Sequence, residues 1–132
     1  MNTVIIFGSQ RKEGKWIEIK NEMKKLDNRF NFDFINMYET KIECCIACVK
    51  CSKKGECILP PSSSDMFEQV LNKLKYAELL LVITPIYSPF PSRLIALLER
   101  LTSVSFFGHE FGGIERPLKN KKVGIFCYGD AK

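Results

Sequence analysis

The chain has little histidine and little tryptophan, one of each in 132 residues. His109 has no matching partner in view, so an imidazole base is not expected, and it reads as a surface-loop residue. Long hydrophobic runs are also missing. Nothing approaches the ~20 continuous apolar residues of a membrane-spanning helix. The N-terminus offers only Val4, Ile5, Ile6 and Phe7 before polar residues begin. That run is too short for the core of a secretory signal and suits a buried strand. No recognition helix, zinc finger or RNA-binding signature is present, so the net charge of +5 carries no nucleic-acid reading. Lys and Glu alternate over residues 20–25, which is the pattern of a solvated helix face. There is no internal repeat and no low-complexity segment.

What is present is an ordinary globular composition, 45% hydrophobic and 27% charged. A chain of this size reads as one domain, residues 1–132, and buries roughly two-thirds of its unfolded surface. Cysteine is the unusual residue. Five of the six cysteines fall within residues 44–57. Without a secretory signal a disulfide framework is not expected, which points to a reducing, cytoplasmic setting. Clustered thiols there hold a metal or do redox chemistry.

Residues 3–7 form a short β-branched run, the pattern of a buried strand. Trp16, Ile19, Met23 and Leu26 then recur at helical spacing. Phe30, Phe32 and Phe34 alternate with polar residues as a strand does. The cysteine segment looks irregular and ends at Pro60-Pro61. Asp65 and Glu68 have capping-box spacing and open a helix with Met66, Val70 and Leu74 on its buried side. Residues 79–83 are continuously apolar, a strand buried on both faces. Ser92 is placed to cap a helix carrying Leu94, Leu97, Leu98 and Leu101. A glycine-rich loop is expected at 108–113 and a last strand at 123–127, with Cys127 inside it as a small buried hydrophobe. Strands and helices in alternation predict a parallel sheet with helices on both faces. Ligands in such sheets bind at the carboxyl ends of the strands.

Three loops fall at that edge. The first carries Ser9, Arg11, Lys12, Gly14 and Lys15, then Trp16, ahead of a helix N-terminus. Free backbone N–H groups, a hydroxyl and cations suit a phosphate there; a basic flexible turn is the plain alternative. The second, Pro85, Ile86, Tyr87 and Ser88, offers an aromatic beside backbone amides. The third is Tyr128, Gly129 and Asp130. Each alone is a weak signal, and their common edge is what raises it.

Gly8-Ser9-x-Arg11-Lys12-x-Gly14, the cysteine segment closed by Gly55-x-Cys57, Asp65-Met66, Pro85-x-Tyr87 and Glu99-Arg100, in that order, resemble the NADPH-dependent FMN reductase-like group. More narrowly, they resemble its iron–sulfur flavoproteins. The resemblance spans residues 3 to about 130. It implies a flavodoxin-like three-layer α/β sandwich with strand order 2-1-3-4, the fifth strand absent. It implies FMN at the strand ends, with the first loop on the phosphate and the second and third flanking the isoalloxazine. It further implies an FMN-dependent oxidoreductase serving a small-molecule or protein electron donor and acceptor, usually as a homo-oligomer with flavin sites near subunit contacts. The flavin carries the chemistry, so no catalytic side chain is named.

The chain departs from that pattern at several positions. Gln10 stands where the family usually has Pro. Lys15-Trp16 replaces Asn followed by a small hydroxyl. Ile95 replaces a lysine, and Glu99-Arg100, read as a structural ion pair, replaces Asp-Arg. The family continues with another strand and helix, so the domain is expected to be incomplete at its C-terminal end. The edge left by Val123, Ile125 and Cys127, with Phe106, Phe107 and Phe111, is expected to be covered by self-association. Cys45-x2-Cys48-x2-Cys51-x5-Cys57 has the spacing of the family's cluster motif. Four thiolates can wrap a [4Fe–4S] cluster or hold zinc, and free redox thiols are equally compatible. Cys44 is an extra thiol. The alternative function is a flavin-less module of the same fold that binds metal or a protein partner.

Overall fold

The computed structural model describes residues 2–26, 30–54, 57, 64–87, 89–113 and 115–129. Its elements, in order, are β1 Asn2–Phe7, α1 Lys15–Lys24, β2 Asn31–Asn36, α2 Cys51–Lys54, α3 Phe67–Lys75, β3 Leu79–Pro85, α4 Ser92–Gly112 and β4 Lys122–Tyr128. The four strands form one parallel sheet in the order β2-β1-β3-β4. Register is continuous: Ile6 lies between Ile35 and Val82, and Ile83 faces Phe126.

Alternation along the strands builds two cores. Val4, Ile6, Leu80 and Val82 point to one face and pack under α3 and α4, through Phe67, Leu74, Leu94 and Leu97 among others. Ile5, Phe7 and Ile83 point to the other and pack under α1 through Trp16, Ile17 and Met23. This makes three layers. α1 has no companion helix on its face among the described residues, and Phe126 on that side is 61% exposed. On the opposite face Val123 and Ile125 are also exposed. Cys127 is exposed too, not the buried hydrophobe expected, because β4 is an edge strand with both faces open.

Other local expectations also changed. The segment expected as a glycine-rich loop at 108–113 is the last turn of α4, which runs to Gly112 and ends at Gly113 in the left-handed conformation (φ 65°). Gly108 is buried, and Phe106, Phe107 and Phe111 cluster across this turn with centroids 5.3–6.3 Å apart, Phe107 stacked on Phe111 and Phe106 edge-on to both. These contacts oppose the roughly 1 kcal/mol that each helical glycine costs. Asp65 does not occupy the cap position of α3, which is taken by Met66, so Glu68 falls one residue short of capping-box spacing. Ser92 is the first residue of α4 and Pro91 its cap position. Leu26 leaves the α1 stripe, at 60% exposed. The expected end of the cysteine segment at Pro60-Pro61 lies outside the described residues.

Candidate functional site

β1 runs directly into the first loop. Its Gly8 amide donates to Ile83 O at 2.9 Å, which draws the loop against β3. The approach needs glycine: a Cβ at Gly8 would lie 2.5 Å from Thr84 Oγ1 and 2.9 Å from Leu94 Cδ2. The loop then folds on itself. The Arg11 amide donates to Ser9 Oγ at 3.3 Å, and the Trp16 indole donates to Arg11 O at 3.0 Å. Gly14 begins α1 with φ 156° and ψ −172°, a region that side chains rarely adopt, and no side chain caps the helix. The Ile17 amide donates to Gly14 O at 3.1 Å, and no side chain accepts from the amides ahead of it in the first turn. They add partial positive charge beside Arg11 and Lys15. Lys15 also meets Glu18 at 3.2 Å, an exposed pair of little worth.

The three loops converge. Ser9, Arg11, Gly14, Lys15, Pro85, Ile86, Tyr87, Tyr128 and Gly129 line one cavity of about 580 Å³ at the carboxyl ends of β1, β3 and β4. The Ile86 amide donates to Tyr128 O at 2.9 Å, which ties the second loop to the third. Ile86 and Tyr87 are roughly half exposed. Burial raises the Tyr128 hydroxyl pKa, with the neighbouring Tyr87 adding to it and Arg11 opposing. Lys12 and Trp16 do not line the cavity. Trp16 is buried beneath the loop against Phe7, with ring centroids 5.6 Å apart. Ser88 and Asp130 lie outside the described residues. The donor set suits a flavin mononucleotide: cations and free amides at one end, apolar and aromatic groups at the other, in a volume typical of ligand sites.

A second site lies on the α3/α4 face. Cys45, Cys48, Cys51 and Cys57 share a mainly apolar cavity of about 150 Å³ with Arg100 and Phe107. The chain turns into it through Ala47 and Val49, both at positive φ (54° and 60°). For a β-branched residue this is a true outlier. Cys51 is buried and donates to Ser103 O at 3.6 Å. Burial pushes its thiol pKa up, and the other three thiols add to this. Although the thiols share the cavity, no group of three or more Cys, His, Asp or Glu among the described residues is arranged to hold a metal ion.

Arg100 is the residue that sequence reasoning misassigned. It does not pair with Glu99. It is 1% exposed and makes a bidentate contact with Asp65 at 2.7 and 2.8 Å. It also donates to Glu43 O at 3.1 Å and to Cys57 Sγ at 3.3 and 3.4 Å, and lies 4.2 Å over the Phe67 ring. Asp65 further accepts the Glu43 amide at 3.1 Å. An isolated buried guanidinium is costly, so Arg100 needs a carboxylate, but the sequence shows neither its burial nor a spacing that chooses Asp65 over Glu99.

Comparison with known proteins gives the following. The model of the NADPH-dependent FMN reductase family matches residues 1–132. Three solved structures share the fold. One is a flavone reductase (TM-score 0.59, 20% identity, 98% of this chain and 43% of that one). Another is Smu.1420 from Streptococcus mutans UA159 (TM-score 0.62, 16% identity, 96% and 67%). The third is the flavoenzyme NAD(P)H:(acceptor) oxidoreductase from Paracoccus denitrificans (TM-score 0.53, 15% identity, 96% and 59%). This chain spans less than half of the flavone reductase. No curated protein matches it.

Proposed function

We infer the function from one established point: the chain belongs to the NADPH-dependent FMN reductase family, whose model spans residues 1–132. We propose that it binds FMN in the 580 Å³ cavity and works as an NAD(P)H-linked oxidoreductase. The observation that carries this is the convergence of three strand-end loops on one cavity with an uncapped helix N-terminus and two cations at one side. In this reading Arg11, Lys15 and the first-turn amides of α1 hold the phosphate, with Ser9 ordering the loop. Ile86, Tyr87 and Tyr128 cover the ring and keep water from it. FMN, when bound there, would supply the redox chemistry between a nicotinamide and an acceptor. No side chain of the chain needs to act as nucleophile or general base. The visible spectrum of the purified protein tests the binding: two flavin bands that bleach on adding NADPH are expected. In Arg11→Ala the loss of a charge-assisted contact of about 1.5–3 kcal/mol should weaken FMN roughly tenfold to a hundredfold. Unchanged affinity in that variant would remove the phosphate from this loop.

A second reading concerns the thiols. A [4Fe–4S] cluster on Cys45, Cys48, Cys51 and Cys57 is favoured by one observation, that all four line the same cavity. It requires the loop to draw the sulfurs together beyond their present placement. Iron analysis on anaerobically purified protein distinguishes it: four irons per chain support the cluster, and iron-free protein with a full flavin spectrum excludes it.

A further inference from the structure

Gln10 lies within the β1–α1 loop, yet its side chain is used elsewhere. Its Oε1 accepts from Ser92 Oγ at 3.0 Å and from the Arg93 amide at 2.8 Å. It thereby caps α4, whose own cap residue, Pro91, supplies no side-chain bond. A helix cap is normally local. Here it comes from a residue 82 positions away, and it anchors the first loop to a helix that contributes Leu94, Ala96, Leu97, Leu101 and Val104 to the opposite core. Arg93 in turn donates to Met37 O and Tyr38 O at 2.7 and 2.9 Å, so the anchor reaches the end of β2 as well.

Trp16 acts on the other side of the same loop. Its buried indole N–H holds Arg11 O, while Ser9 Oγ holds the Arg11 amide. The main chain on both sides of Arg11 is therefore fixed. Among the described residues Arg11 makes no ion pair, whereas Lys15, the other cation lining the cavity, meets Glu18. Neither Gln10 nor Trp16 lines the cavity. A loop fixed this way loses less conformational freedom when an anion docks, and preorganisation of this kind appears as affinity. The saving applies to whatever the loop itself binds, not to a ring held by Ile86, Tyr87 and Tyr128.

We propose that Gln10 and Trp16 are positioning residues that preorganise the first loop as an anion site, so that the terminal phosphate decides which flavin is retained, FMN over riboflavin. This rests on the FMN reading above. The indole N–H takes over the ordering of the loop, in place of a small hydroxyl that would touch the phosphate directly.

The test compares FMN and riboflavin affinities, by quenching of flavin fluorescence, in the wild type, Gln10→Ala and Trp16→Phe. Phenylalanine keeps a ring against Phe7 but loses the N–H. Each variant is expected to bind FMN about tenfold more weakly, equivalent to about 1.4 kcal/mol, with riboflavin unchanged, so the FMN preference shrinks by the same factor. Loss of stability alone would weaken both flavins equally, and that outcome overturns the proposal. So does a full FMN preference in both variants. A wild type that binds flavin without preferring FMN would instead remove the phosphate site, and both readings with it. Gln10 is only partly buried and lies outside both cores, so its variant decides the matter even if Trp16→Phe fails to fold.

Discussion

Replacing Arg100 with methionine tests the buried network most directly. The substitution keeps the aliphatic stem and removes the charge and every donor. Two bonds to Asp65, one to Glu43 O, two to Cys57 Sγ and the contact with the Phe67 ring are lost together. The side chain is 1% exposed and the Asp65 side chain 14%, so water does not replace those partners freely. Breaking one side of a buried pair costs about 3–5 kcal/mol, a large part of the roughly 5–15 kcal/mol that holds a domain together. The double variant Arg100→Met with Asp65→Leu should be destabilised by less than the sum of the singles, because no charge is left buried. The pair also has a pH signature. Burial alone raises the Asp65 pKa, but the Arg100 hydrogen bond, the Glu43 and Phe67 amides and the guanidinium charge outweigh it and hold the pKa below the ordinary carboxylate value. A folded-state pKa below the unfolded one means this stabilisation is complete above about pH 4 and is lost as pH falls through the folded value. Arg100→Met should flatten that acid limb. Urea unfolding followed by Trp16 emission, the chain's only indole, measures all of this. A loss below about 1 kcal/mol in the single variant, or strict additivity in the double, would refute the reasoning.

Gly8→Ala places a Cβ against buried Thr84 and Leu94, so a loss of about 1–3 kcal/mol is expected in the same unfolding assay. Val49→Gly relieves a left-handed β-branched residue worth about 1–2 kcal/mol, less about 0.5–1 kcal/mol of glycine entropy; a higher urea midpoint is the expected result, and a lower one would show that Val49 packing matters more than its φ of 60°. Tyr128 has a raised pKa, so its contribution is full below about pH 10 and lost as pH rises through the folded value; Tyr128→Phe should remove that alkaline limb from a stability profile. The open faces of β4, with Val123, Ile125 and Phe126 exposed, predict concentration-dependent self-association in sedimentation velocity that Val123→Lys weakens; a wild-type monomer at high concentration contradicts this.

Hydrophobic period alone carried the sheet. The short β-branched runs at β1 and β3 and the helical stripes between them dictate parallel strands, because a helix between two strands returns the chain in the same direction. From that pattern a parallel sheet and the common edge of the three loops were legible, while the order 2-1-3-4 came with the family resemblance. The cysteine spacing was visible, but not what the thiols do, since ligation depends on where the sulfurs end up in space. What tertiary structure decided were bonds between residues far apart in sequence. Local spacing offered Asp65 and Ser92 as caps and Glu99 as the partner of Arg100. In the fold Asp65 serves Arg100, 35 residues away, and α4 takes its cap from Gln10, 82 residues away. The exposure of Cys127 follows the same logic: strand pattern says which residues alternate, and only the position of β4 at the sheet edge says that nothing described covers them. Side-chain period is a property of the local backbone, whereas the choice of a polar partner is made by desolvation among whatever groups the packed layers bring together.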